Sequence, residues 1–193
     1  LDAILNKTLA YQDKTYGNTS VFASDLYYSP YVANWAAKLP EGWSKQFASL
    51  DQQPVVDARK VVLENMNFGT ALVSYFGHSS PTVWTSAGLF AAGDIPNLNN
   101  TGKPFVVAQY GCWNTYFVDP RIDSLGQQFL FAANKGAAAV IGSTTYNYSH
   151  SQYYLGQYLT PNLGTPGMTI GQALHAAKQT LPSIQAVNPE IMI

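Results

Sequence analysis

Charge is scarce in this sequence. Only 11% of its 193 residues are Asp, Glu, Lys or Arg, and the 10 basic and 11 acidic side chains nearly cancel. No run of Lys or Arg could follow a phosphate backbone or an anionic membrane surface, so we expect no nucleic-acid partner. No apolar stretch approaches the roughly 20 residues that a membrane-spanning helix needs, so we expect no membrane insertion. The first residues also lack the pattern of a signal peptide.

The chain contains a single cysteine, Cys112, and three histidines. One cysteine cannot form a disulfide within the chain or a site built from several thiolates. The histidines are scattered without the spacing of metal ligands, so we predict no metal site. Cys112 is therefore either a small buried hydrophobic residue, the ordinary role of a lone cysteine, or a reactive thiol.

Aromatic and uncharged polar residues are abundant instead. The chain has 13 Tyr and 4 Trp together with many Asn, Ser and Thr. They predict a polar, weakly charged surface of the kind common in secreted and cell-surface proteins. The hydrophobic fraction of 47% is enough for one sizeable core, and no internal repeat is present. We therefore expect a single domain over residues 1–193 that belongs to a larger protein with further domains, with residues 1–16 forming a helix from a preceding region.

Apolar runs and helical spacings alternate along the chain. Strands are predicted at residues 19–26, 43–50, 70–76, 103–110 and 137–143. Helices are predicted at residues 30–39, 54–67, 123–136, 150–159 and 169–180, the third of these with Asp123 as its N-cap and Gly136 at its end. Strands that are apolar on both faces and alternate with helices indicate a mostly parallel sheet that is covered on both sides. The predicted fold class is therefore α/β.

Three of these strands are followed by a residue with catalytic chemistry. "VFASD" ends in Asp25, "LVSYFGH" in His78 and "VVAQYGC" in Cys112. Each has an ordinary explanation by itself, as a turn residue, a loop histidine and a buried thiol. In an open α/β sheet, however, the carboxyl ends of the strands form the site, so the three residues are expected to meet there. A thiol needs a base and an imidazole needs an orienting acceptor, so Asp, His and Cys together indicate nucleophilic catalysis.

The segments "ALVSYFGHSSPTVW", "PFVVAQYGCWNTYF" and "GAAAVIGSTTYNYS" resemble the catalytic core of the gingipain family of cysteine peptidases. The resemblance implies a caspase-like three-layer α/β/α sandwich and a secreted, bacterial thiol protease. It implies that Cys112 is the nucleophile, His78 the catalytic histidine and Asp25 the acid that orients it. The backbone amides of Cys112 and Ser79 would hold the oxyanion.

One position departs from the pattern of this family. The family usually has glycine after the histidine, in Gly-His-Gly-Ser, whereas this chain has Ser79. If the loop requires a positive φ at this position, serine would cost of the order of 1 kcal/mol. Ser79 keeps its amide hydrogen, so the substitution alone does not predict an inactive site.

A second departure concerns specificity. Gingipains that cleave after Arg or Lys have an acidic residue shortly after the orienting carboxylate, but "DLYYSPYVANW" contains no second acid. A buried cation without a carboxylate is costly, so we do not expect strict Arg or Lys specificity. The predicted substrate-binding residues are Tyr148, Ser149, Tyr28 and Trp84, although a tryptophan such as Trp84 more often packs beneath a loop. Tyrosine-rich loops suit an apolar, aromatic or small side chain.

The sequence therefore predicts a cysteine endopeptidase that acts on peptides or proteins. A catalytically inactive gingipain-like binding module of a cell-surface protein is the alternative. An α/β-hydrolase is disfavoured, because that fold has the order nucleophile, acid, histidine and this chain has the order acid, histidine, cysteine. We predict no cofactor; structural calcium is suggested by the resemblance, but no ligand loop can be named.

Overall fold

The computed structural model describes residues 1–13 and 17–180. Its main sheet has five parallel strands in the order β2-β1-β3-β6-β7. These strands are β1 (Thr19–Ser24), β2 (Ser44–Ser49), β3 (Leu72–Phe76), β6 (Phe105–Tyr110) and β7 (Ala137–Gly142). Each of the five overlaps a strand predicted from the sequence, and the parallel sheet confirms the predicted α/β fold.

Six α-helices accompany the sheet in the described residues: α1 (Asp2–Gln12), α2 (Ser29–Ala37), α3 (Val55–Phe68), α4 (Leu125–Phe131), α5 (Ser149–Leu163) and α6 (Ile170–Thr180). An antiparallel pair that the sequence did not predict, β4 (Val83–Trp84) and β5 (Phe90–Ala91), precedes a 3-10 helix at Ala92–Asn97. Residues 14–16 of the predicted first helix, and residues 181–193 of the predicted domain, lie outside the described residues.

Two hydrophobic clusters cover the two faces of the sheet and make the fold a three-layer sandwich. On one face α3 buries Ala58, Val62 and Met66, three of the residues whose helical spacing predicted this helix. On the other face α2, α5 and α6 pack around Trp35, which stacks on Phe76 of β3 with ring centroids 4.8 Å apart.

Helix α4 is shorter than predicted, which corrects the proposed span of 123–136. Its N-cap is Ser124 and not Asp123: Ser124 Oγ accepts a hydrogen bond from Gln127 N at 3.4 Å, while Gln127 Oε1 accepts one from Ser124 N at 3.0 Å. This reciprocal pair is a capping box, and it fixes where the helix begins. The helix ends at Phe131, six residues before β7.

A buried lysine of α1 explains the early end of α4. Lys7 is 4% exposed, and its ammonium donates hydrogen bonds to backbone carbonyls of Phe129, Leu130, Ala132 and Lys135 at 2.8 to 3.0 Å. Carbonyls at a helix end have no partner within the helix, and a cation there also complements the helix dipole. Helix α1 is thereby fastened to the segment that connects α4 with β7.

Candidate active site

The sheet brings together the three residues that the sequence placed at strand ends. Asp25 directly follows β1, His78 comes two residues after β3, and Cys112 comes two residues after β6. Because β3 lies between β1 and β6, His78 is placed between the other two. The ladder continues past the strand ends through hydrogen bonds from Asp25 N to Phe76 O and from Gly77 N to Tyr110 O, both 3.1 Å long. The positions of all three side chains are therefore set by paired backbone.

Asp25 and His78 form a hydrogen-bonded pair. Asp25 Oδ2 lies 3.0 Å from His78 Nδ1 and also accepts from His78 N at 3.4 Å, while Asp25 Oδ1 accepts from Leu26 N at 2.9 Å. The residue Asp25 is only 7% exposed, whereas the His78 side chain is 78% exposed. A carboxylate beside Nδ1 favours a proton on that nitrogen, so Nε2 is the ring atom left to act in the cleft.

Gly77 allows this close approach. A Cβ at position 77 would lie 2.3 Å from Asp25 Cβ and 2.8 Å from the hydroxyl of Tyr75, and the φ angle of Gly77 is +154°. Both the space and the backbone conformation exclude a side chain here. The glycine that precedes His78 is thus a steric requirement of the aspartate–histidine pair.

Two hydrogen bonds hold the backbone carbonyl of His78. The Tyr75 hydroxyl donates to His78 O at 2.5 Å, and Thr85 N donates to the same oxygen at 2.8 Å. Burial raises the pKa of Tyr75 well above its usual range, so this hydroxyl keeps the proton that it donates.

Trp84 belongs to this support and not to the cleft, which corrects the prediction that it contacts substrate. It is fully buried, stacks on Tyr75 with centroids 4.6 Å apart, and donates from Nε1 to Gln109 Oε1 at 2.7 Å. A wholly buried indole with a hydrogen-bond partner is a packing residue.

The thiol of Cys112 contacts backbone from the loop after β7. Its Sγ lies 3.4 Å from Asn147 N and 3.5 Å from Asn147 O. Within the described residues the hydrogen-bond partners of Sγ are these two atoms, so thiol and imidazole are not hydrogen-bonded to each other. Catalytic hydrogen bonds often tighten only in the substrate complex.

The structure shows no left-handed backbone at Ser79. Within the described residues the non-glycine positions with positive φ are Tyr27, Thr85, Trp113 and Asn134. The backbone cost considered for serine at this position is therefore not incurred. A bridge pairs Ser79 with Trp84, but its hydrogen bonds run from Ser80 N to Val83 O and from Thr85 N to His78 O. The Ser79 amide takes no part in them.

A cavity of about 480 Å³ opens beside His78. Aromatic side chains dominate its wall, and no carboxylate contributes to it. Its lining residues are Tyr27, Tyr28, Tyr31, Phe76, His78, Ser149, His150, Tyr153 and Tyr154.

Two of the four predicted substrate-binding residues line this cavity. These are Tyr28, whose ring centroid lies 5.8 Å from that of His78, and Ser149. Burial raises the pKa of Tyr28, and the nearby Asp25 carboxylate acts in the same direction. Tyr148 is 66% exposed and lies outside the wall.

Sequence reasoning did not assign several residues of the wall to the cleft. Tyr31 comes from α2, and His150, Tyr153 and Tyr154 come from α5. In an α/β sheet the strand ends and their loops are where sequence predicts a site, and these tyrosines lie in helices. The sequence feature that could have indicated them is the presence of tyrosines near the starts of α2 and α5, two helices that pack in the same hydrophobic cluster.

The described residues contain neither a cluster of metal-binding side chains nor a helix suited to crossing a membrane. No group of three or more His, Cys, Asp or Glu side chains is close enough to hold a metal ion among residues 1–13 and 17–180. Within the same ranges, no helix combines the length and the apolar character that crossing a bilayer requires.

Comparison with known proteins identifies the family. The profile of Peptidase family C25 matches residues 1–191, nearly the whole chain. The chain belongs to this family. None of the curated proteins compared with it is similar enough to count as a match.

Solved structures of cysteine proteinases and proteases share the fold. The crystal structure of the Arg-specific cysteine proteinase gingipain R matches with a TM-score of 0.76 at 16% identity, covering 94% of this chain and 48% of that one. The complex of Porphyromonas gingivalis RgpB pro- and mature domains matches with a TM-score of 0.70 at 14% identity, covering 93% and 48%. A further protease structure matches with a TM-score of 0.61 at 20% identity, covering 81% and 35%. The present chain thus spans about half the length of the first two structures.

Proposed function

We propose that this chain hydrolyses peptide bonds as a cysteine endopeptidase, with Cys112 as nucleophile and His78 as acid and base. The observation that carries the proposal is the Asp25–His78 pair, 3.0 Å long, at the strand end next to the loop of the only cysteine. The carboxylate keeps the imidazole in the tautomer whose Nε2 can exchange a proton with the thiol. It also stabilises the imidazolium that forms during the reaction.

The reaction proceeds through a thioester. The thiolate of Cys112 attacks the carbonyl carbon of the scissile bond, and His78 protonates the departing amine. Water, activated by His78, then attacks the thioester and restores the thiol. The Asn147 amide, 3.4 Å from Sγ, supports the negative charge of the thiolate before attack.

The backbone amides of Ser79 and Cys112 are proposed to hold the oxyanion. Among the described residues neither N–H has an intramolecular acceptor, so both are available to a substrate oxygen. Backbone donors that are fixed before the reaction need no reorganisation, and each contributes about 3 kcal/mol to the transition state.

A cleavage assay tests the assignment. Wild type and Cys112→Ala are incubated with a peptide library, and cleavage sites are read by mass spectrometry. The variant should lose all turnover, because no other thiol exists in the chain. Undiminished cleavage by Cys112→Ala would refute the assignment of Cys112 as the nucleophile.

Thiol reactivity separates the peptidase from an inactive binding module. An active site should react with iodoacetamide at neutral pH much faster than a free cysteine does, and His78→Ala should lose this advantage. A binding module would show ordinary reactivity in both proteins. The unstrained backbone at Ser79 favours the peptidase, because the departure from the family pattern does not distort the loop.

The cavity beside His78 is proposed to receive a neutral side chain next to the scissile bond. Gingipain R is Arg-specific, but no carboxylate lines the cavity here. The nearby Asp51 accepts hydrogen bonds from Tyr27 N and, at 3.0 Å, from Ser29 N. Burial acts to raise the pKa of Asp51, but these hydrogen bonds lower it below its usual value. The carboxylate therefore already has partners within the protein. Tyrosine rings around about 480 Å³ suit an aromatic or large apolar side chain.

A positional peptide library tests this specificity. We expect cleavage after Phe, Tyr, Leu or Met to exceed cleavage after Lys or Arg. Tyr31→Asp, which adds a carboxylate to the wall, should raise relative cleavage after Lys and Arg, whereas Ala33→Asp, at an exposed position of the same helix outside the wall, should not. A wild-type preference for Lys or Arg would contradict the proposal.

The partners of the whole protein are part of this proposal. We expect peptide or protein substrates, and further domains in addition to the half of the relatives' length that this chain spans. We also expect the protein to act outside the cell, in keeping with its weakly charged surface.

A further inference from the structure

The hydroxyl of Ser79 connects the histidine loop to the nucleophile loop. Ser79 Oγ donates a hydrogen bond to Cys112 O at 2.7 Å. The same oxygen packs directly on Gly111, where an added Cβ would lie only 2.2 Å from it. Ser79 thus fills the space between the two loops, and the absence of a side chain at Gly111 provides room for it.

The peptide unit between Cys112 and Trp113 is held at both of its polar atoms. Its carbonyl accepts from Ser79 Oγ, and its N–H, on Trp113, donates to Thr145 O at 3.1 Å. Trp113 has a φ angle of +65°, which a bulky residue seldom adopts. Such a conformation persists only where the surrounding contacts enforce it. The two hydrogen bonds are contacts of this kind.

The orientation of this peptide unit determines the ψ angle of Cys112. With the peptide plane held, this angle sets the directions in which the N–H and the Cβ of Cys112 extend from it. The proposed mechanism uses that N–H and the Sγ that the Cβ carries. Glycine, the residue expected at position 79 from the family pattern, has no hydroxyl and cannot make this bond. The substitution that departs from the family therefore adds a contact to the nucleophile.

We propose that the Ser79 side chain is a positioning residue that holds Cys112 in its reactive orientation. This inference rests on the proposed peptidase function, but it concerns the hydroxyl and not the backbone amide of Ser79. Serine at this position would then assist catalysis, whereas the sequence alone suggested only that it could strain the loop.

The test compares Ser79→Ala with the matched control Ser80→Ala. Ser80 lies in the same loop, and its hydroxyl accepts from Thr82 N at 3.3 Å within that loop. Loss of one hydrogen bond that orients a reacting group should lower kcat of Ser79→Ala about tenfold, with KM within about twofold of wild type. Ser80→Ala should retain the wild-type kcat. Melting temperatures of both variants, measured in parallel, identify any general loss of stability.

A second readout is independent of peptide cleavage. Alkylation of Cys112 by iodoacetamide should be about threefold or more slower in Ser79→Ala than in Ser80→Ala at pH 7, because Sγ is no longer held in place. Unchanged kcat, unchanged alkylation, or a rise in KM alone would overturn the inference. If wild type cleaves no peptide, the proposed function fails, while the alkylation rates still decide whether the hydroxyl positions the thiol.

Discussion

Replacing Gly77 by alanine should uncouple the aspartate–histidine pair. The added Cβ would lie 2.3 Å from Asp25 Cβ, and contacts between such carbons normally begin near 3.5 Å, so Asp25 or the loop must move by about 1 Å. A displacement of this size at a reacting centre costs about 100-fold in rate. The φ angle of +154° adds about 1 kcal/mol of strain, and overpacking adds about 1–3 kcal/mol. We expect kcat/KM to fall at least about 100-fold and the free energy of unfolding to fall by about 2–4 kcal/mol.

The assay measures peptide hydrolysis and urea unfolding for Gly77→Ala beside Gly88→Ala. Gly88 has a φ angle of +74° but nothing within 4 Å of an added Cβ, so it reports the conformational cost without the clash. The control should lose about 1 kcal/mol of stability and keep its kcat/KM. If Gly77→Ala is as active as Gly88→Ala, Asp25 does not need its position beside His78, and the reasoning about the pair is wrong.

Three further substitutions test other parts of the structure. Asp25→Asn should lower kcat about 10- to 100-fold with little change in folding, because the amide cannot stabilise the imidazolium of His78; wild-type kcat in steady-state assays would exclude an orienting role. Trp84→Phe should lower the free energy of unfolding in urea by about 2–3 kcal/mol, because Gln109 Oε1 loses its buried donor, and KM should not change. An increase in KM would indicate that Trp84 contacts substrate after all. Lys7→Met should cost about 2–3 kcal/mol in the same measurement by leaving the carbonyls after α4 without a donor, and an unchanged unfolding midpoint would show that α1 does not hold that segment.

The sheet could be predicted from sequence because buried parallel strands appear as short apolar segments. The central strands β3 and β6 are short apolar runs, and their burial on both faces removes the polar alternation that would indicate another arrangement. The location of Asp25, His78 and Cys112 followed from the same runs, because the carboxyl ends of parallel strands share one edge. This part of the site depended on chain order and strand direction alone.

Other features depended on contacts between distant residues. Lys7 lies more than 120 residues before the carbonyls that it binds, so the end of α4 carries no local signal. The cavity wall combines residues from α2 and α5, whose approach is set by packing on Phe76 and Trp35. Trp84 gave the same sequence pattern whether it faced the cleft or the core. Only the tertiary contacts could distinguish these cases.

The support of His78 explains how the exposed side chain of a proposed catalytic residue can be placed accurately. The proposed mechanism requires its ring to be accessible to substrate, and at 78% exposure packing around the side chain does not hold it. Instead, Tyr75 and Thr85 bind its carbonyl oxygen, and Asp25 binds both its amide and its ring. Cys112 follows the same principle, since its side chain is only partly buried and its own carbonyl accepts from Ser79. Both residues are therefore positioned largely through their backbones, which would leave the side chains free to exchange protons and to form the proposed thioester.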